Sequence, residues 1–83
     1  MNESELTAWQ SNTHTPGDLL STWDNETSKD IPCLVIQDRI KTIDPYGRKI
    51  KIRKIMIMSK YGVYEVSKYE IFPPGEASPS IPF

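Results

Sequence analysis

The chain contains one cysteine, Cys33, and one histidine, His14. A lone thiol excludes an intramolecular disulfide framework, and one Cys with one His falls short of the four ligands of a structural zinc site. No metal and no cofactor is therefore expected. Glycine is scarce, four residues against seven prolines. None of the four builds a phosphate-cradling loop, and Gly47 and Gly62 read as turn glycines. No apolar run approaches the ~20 residues that cross a bilayer, so no membrane partner is expected. The opening Met-Asn-Glu-Ser-Glu has neither the basic nor the apolar region of a secretory signal, and the cytoplasm is the expected compartment. With 83 residues, 37% of them hydrophobic, there is room for one small domain.

Catalytic groups are equally thin. His14 lies in a polar stretch, residues 10–17, with no apolar period, and no serine or cysteine has a base placed beside it. Cys33 opens an apolar strand, where an inert buried thiol is expected. Asp38, Asp44, Glu65 and Glu70 read as solvent-facing partners of nearby lysines. A non-enzymatic protein is expected.

What is present is a separation of charge. The net charge of −1 divides into −5 over residues 1–31, +5 over residues 32–72 and −1 over residues 73–83. This suggests three parts: an acidic, largely flexible arm (1–31), a basic β domain (32–72) and a disordered Pro/Ser-rich tail (73–83). In the arm, Thr15-Pro16 with Asp18 reads as a helix start, and Leu19 with Trp23 is an i, i+4 pair. A short helix is expected near residues 16–25, with residues 1–14 mobile.

The basic part reads as β. Cys33 to Ile43 is rich in β-branched residues. Asp44-Pro45-Tyr46-Gly47 is a turn, and Arg48 to Met58 alternates charged with apolar residues. Ile50 and Ile52 are expected to face inward, and a β-bulge near Arg53-Lys54 would bring Ile55 and Ile57 to the same face. Ser59 to Gly62 is a second turn, Val63 to Val66 a third strand. Ser67 to Glu70 suggests one helical turn leading into a short Ile71-Phe72 strand. The expected class is all-β (mainly β): a small antiparallel meander or SH3-like barrel with a short N-terminal helix and disordered ends.

Two groups of residues suggest binding. Arg48, Lys49, Lys51, Arg53 and Lys54 gather on one strand, with Tyr46, Tyr61 and Tyr64 nearby. Cations with interleaved aromatics suit a phosphate backbone whose bases stack on rings, and nucleic acid of unspecified type is the expected partner. The alternative is a protein-interaction adaptor or inhibitor of phage or plasmid type. It would act through the acidic arm, with Trp9, Leu19, Leu20 and Trp23 as its contacts. A protein partner, including a second copy of the chain, is expected under either reading.

The C-terminal Ile81-Pro82-Phe83 resembles the terminal Ile-Pro-Phe of bacterial single-stranded DNA-binding proteins. That resemblance implies docking of the terminal ring in an apolar pocket, and of its carboxylate on a basic residue, of DNA-repair and replication enzymes. It would make Ile81, Pro82 and Phe83 partner-binding residues.

Overall fold

The computed structural model describes residues 2–79. A helix, α1 (Glu3–Ser11), precedes four strands: β1 (Leu19–Asp24), β2 (Lys29–Ile43), β3 (Ile50–Ser59) and β4 (Gly62–Val66). Single 3-10 turns occupy Pro45–Gly47 and Lys68–Glu70. The strands form one antiparallel meander in the order β1-β2-β3-β4. The expected mainly-β meander is therefore present, and the barrel is not. β1 and β4 are the terminal strands of the sheet and do not pair with each other. After β4 the chain makes the expected helical turn and crosses to the far edge. There Phe72 pairs with Ser21 of β1 through two backbone hydrogen bonds of 2.9 Å.

The helix is not where the Thr15-Pro16 start placed it. Asn2 caps α1, its side chain accepting from the Glu5 amide at 2.8 Å, and Glu3 and Glu5 sit in the positive first turn. Leu6 and Trp9, three residues apart, give this short helix one half-buried side, and the next residue, Gln10, is buried. Residues 19–24 are strand because they pair in register with residues 29–34 of β2. Leu20, Thr22 and Asp24 turn inward, while Leu19 and Trp23 turn outward. So residues 3–11 are helical rather than mobile, and the division at residue 31/32 falls inside β2.

The bulge is also elsewhere. Pairing shifts between Val35↔Ile57 and Gln37↔Met56, which leaves Ile36 of β2 as the extra residue, and β3 runs without interruption through Arg53-Lys54. On β3 the odd positions therefore face the core. Ile55 and Ile57 are buried, whereas Ile50 and Ile52, expected inward, lie on the outer face and are exposed. On β2 the bulge exchanges the phase, so Cys33 and Val35 face inward before it and Asp38 after it.

The core is Leu20, Cys33, Val35, Ile55, Ile57, Val66 and Ile71, with Trp9 and Tyr64 packed against it. Ile71 comes from the crossing segment, and Gln10 donates to its carbonyl at 2.9 Å. Gly75 and Ala77 do not form a free tail. The Gly75 amide donates to Ser21 Oγ at 2.8 Å and the Ala77 amide to Asp30 Oδ2 at 2.7 Å, across the outer face of β1 and β2.

Candidate nucleic-acid interface

β2 and β3 outrun their neighbours. β1 pairs only with residues 29–34 and β4 only with residues 55–59. From Arg39↔Lys54 to Ile43↔Ile50 the hairpin is a two-stranded ribbon with no third strand. Residues 38–54 hold seven cations (Arg39, Lys41, Arg48, Lys49, Lys51, Arg53, Lys54) against Asp38 and Asp44, a net +5, so the rest of the chain carries −6. The separation of charge is thus between ribbon and body, not between arm and body.

The expected cations divide by position. Lys54 points to the outer face, Lys51 to the inner face, and Arg48 and Lys49 precede β3 at the tip. All four are exposed. Arg39 and Lys41 join them and were missed by reading β3 alone. Pairing back across the turn at Asp44–Gly47 would have found them, since Arg39 lies opposite Lys54 and Lys41 opposite Ile52. Like charges directly opposite on one face destabilise a hairpin. Among the described residues, none of these six cations has an ion-pair partner.

Arg53 does not belong to this surface. Its guanidinium turns inward and grips Asp38 with two hydrogen bonds, Nε to Oδ1 at 2.8 Å and Nη2 to Oδ2 at 2.6 Å. It also donates to the carbonyls of Gln10 and, at 2.8 Å, of Asn12, the negative end of α1. The Asp38 side chain is fully shielded and that of Arg53 is 15% exposed. Burial pushes the Asp38 carboxyl up, but the Arg53 hydrogen bonds and the His14 amide outweigh it and hold it below the usual carboxylate range. The acidic helix is thereby fastened to the root of the ribbon.

The three tyrosines do not form one platform. Tyr46 stands at the ribbon tip, fully exposed, with a left-handed backbone (φ 58°) followed by Gly47 at φ 75°. Tyr61 and Tyr64 lie at the other end of β3, about 30 Å away at strand rise. Tyr64 is half-buried, its hydroxyl 3.1 Å from Ser59 Oγ.

The Tyr61 hydroxyl donates to Asp24, 2.8 Å from each carboxylate oxygen. Thr27 Oγ1 (2.6 Å), the Glu26 amide (3.0 Å) and Lys60 Nζ (3.1 Å) complete the ring around that carboxylate. The Thr27 hydroxyl above all, then Tyr61, Lys60 and the Glu26 amide, hold Asp24 far below its ordinary value against the opposing effect of burial. A depressed folded-state pKa contributes stability above the unfolded value, near pH 4, that is lost as acid protonates the folded form. Asp24→Asn should therefore melt lower than the parent at neutral pH, and the gap should close below about pH 4. Thermal melts by circular dichroism across that range check it. A gap that holds constant into strong acid would show that Asp24 acts by shape rather than charge.

The expected contacts of the arm are largely used within the fold. Leu20 is in the core, Trp9 packs against it, and Trp23 is half-buried on β1. The ring of Trp9 lies 4.3 Å from that of His14. His14 is not in a loose stretch: its amide donates to Asp38 at 2.8 Å, and burial lowers its pKa. Leu19 alone is exposed, and it begins an outer-face row, Leu19-Leu34-Met58-Val63, one residue from each strand. Cys33 is 2% exposed, and burial pushes its thiol up to about 11, as expected of an inert packing residue. Among the described residues no cluster of His, Cys, Asp and Glu is arranged to hold a metal. Ile81, Pro82 and Phe83 lie outside the described residues.

No protein-family model, no curated protein and no solved structure matches the chain.

Proposed function

We propose that this is a non-enzymatic accessory protein that binds nucleic acid through the β2–β3 ribbon. The observation that carries the reading is the placement of six exposed cations, Arg39, Lys41, Arg48, Lys49, Lys51 and Lys54, on a projection of net +5 set against a body of −6. Arg39 facing Lys54 costs the hairpin stability unless counter-charge arrives from outside. A phosphate backbone supplies that counter-charge in a regular array and gains affinity from released counterions. The acidic body repels the same backbone and leaves the ribbon as the favoured approach. The arm-based adaptor reading has less support, since Trp9 and Leu20 are packed inside.

The test is a salt titration of binding, comparing the parent with a variant carrying Lys41→Ala, Arg48→Ala, Lys49→Ala and Lys51→Ala. These side chains are exposed, so the fold should be retained. The slope of log affinity against log salt should flatten by about 3–4 units, near one for each phosphate no longer neutralised. The weakening should be uniform across nucleic-acid sequences. An unchanged slope would remove the ribbon from the interface.

A further inference from the structure

Resting on that reading, we infer that the nucleic acid is duplex DNA and that the ribbon enters its major groove by the tip, with Tyr46 leading. The first ground is cross-section. Between Arg39↔Lys54 and Ile43↔Ile50 there are only two strands, about 4.8 Å apart, and the major groove of B-form DNA, about 12 Å wide, admits a two-stranded ribbon. The four-stranded body behind it is too broad to follow, so the free length of the ribbon sets the depth of entry.

The second ground is the distribution of charge around the ribbon. Arg39, Lys41 and Lys54 leave by the outer face and Lys51 by the inner face. A groove has a phosphate wall on either side and meets cations on both faces at once. A single strand lying on a sheet meets only one face. Single-strand binding also calls for rings beside the cations. Here the ribbon presents Ile43, Ile50 and Ile52 where rings would be needed. Ile43 and Ile50, the last pair before the tip, come nearest the major-groove floor, where aliphatic side chains suit thymine methyl groups. Tyr61, at the far end of β3, has its hydroxyl held by Asp24 in an acidic setting.

The third ground is the tip. Tyr46 is wholly exposed in a left-handed conformation that favours glycine, between Pro45 and Gly47. Nothing in the described fold rewards a tyrosine there. A ring held out at the front of a groove-sized projection has base edges and stacked bases as its natural contacts. The same dimensions disfavour duplex RNA, whose major groove is deep and narrow.

The experiment measures binding of the full chain, by fluorescence anisotropy at low salt, to one sequence presented as duplex DNA, single-stranded DNA and duplex RNA. Duplex DNA should bind at least about tenfold more tightly than either other form, and a minor-groove ligand should not displace the protein. Tyr46→Gly relieves the left-handed backbone, so its melting temperature should equal or exceed the parent's. Its affinity for duplex DNA should nevertheless fall by about tenfold, the size of a single base-edge contact in the major groove. Tyr46→Trp should restore it. Equal or tighter binding of single strands or RNA, displacement by the minor-groove ligand, or a Tyr46→Gly variant that binds like the parent would each overturn duplex entry while leaving a nucleic-acid-binding ribbon. Absence of binding to all three probes would overturn the ribbon reading and this inference with it.

Discussion

Arg53→Ala should destabilise the protein by about 3–5 kcal/mol. A domain of this length has on the order of 4–12 kcal/mol in total, so the variant should be largely unfolded near physiological temperature or melt at least ~12 °C lower. The reason is what the guanidinium leaves behind. Asp38 has a fully shielded carboxylate whose only cation is Arg53 among the described ion pairs, and the carbonyls of Gln10 and Asn12 at the end of α1 lose their donor. An uncompensated buried charge costs more than the pair contributes. Replacing both partners by apolar residues of similar volume, Arg53→Met with Asp38→Leu, should therefore recover much of the loss. Thermal and urea melts measure it. If Arg53→Ala melts within a few degrees of the parent, the pair is not what fastens the helix. The same comparison separates Arg53 from Lys51, two residues away on the same face. Lys51→Ala should have little effect on melting and, under the proposed function, should weaken nucleic-acid binding.

Ile71→Ala should cost about 2–5 kcal/mol. Ile71 is 0% exposed and lies in the core cluster with Leu20, Val35, Ile55 and Ile57, though it belongs to no regular strand. Its carbonyl accepts from Gln10, and the next residue pairs with Ser21. The cavity left by truncation has strand on one side and an irregular segment on the other, and the segment can move inward. The loss should thus lie toward the lower half of that range. A melting temperature at least ~8 °C lower is the expected reading, since 1 kcal/mol corresponds to about 4–8 °C in a domain this small. A shift under ~2 °C would mean that the segment contributes little to the core.

Local chemistry made much of the sheet legible. Asp44-Pro45-Tyr46-Gly47 and Ser59 to Gly62 carry turn residues with a specific geometric use, and they fixed two of the three hairpin connections. Ser67 to Glu70 was readable because Ser67 and Glu70 form a capping box, with the Glu70 carboxylate accepting from the Ser67 amide at 2.6 Å. What failed was phase. Ile50, Ile52, Ile55 and Ile57 are four similar side chains at mixed parity, and only two of them can face one core. The choice is made by the partner strand, through the extra residue Ile36, and a slip on one strand looks the same as a bulge on the other when read from a single sequence.

Residues 16–25 failed for a related reason. Leu19 and Trp23, four residues apart, share a face in a helix and in a strand alike, and the pairing with β2 decided between them. At the candidate interface, the charge was visible but its owners were not. Arg53 has the same side chain as its exposed neighbours, and its inward role depends on Asp38 fifteen positions away. Arg39 and Lys41 became part of the ribbon only once strand register was known.

The bridge between Ser21 and Phe72 also bears on how the protein is made. A helical bundle completes its contacts nearly as fast as its residues appear. Here the strand that begins the sheet is sealed by a segment made some fifty residues later. The buried Ile71 and Phe72 leave the ribosome after the other core residues of the described sheet. Until they emerge, β1 presents an unsealed edge, and the inner face of β2 and β3 lacks the segment that crosses it. Non-local closure of this kind slows folding, so the chain passes through a stage with paired strands and an incomplete core. A chain cut short before Ile71 would be able to form the central hairpin but unable to bury it, which is the form most exposed to proteases and to edge-to-edge aggregation.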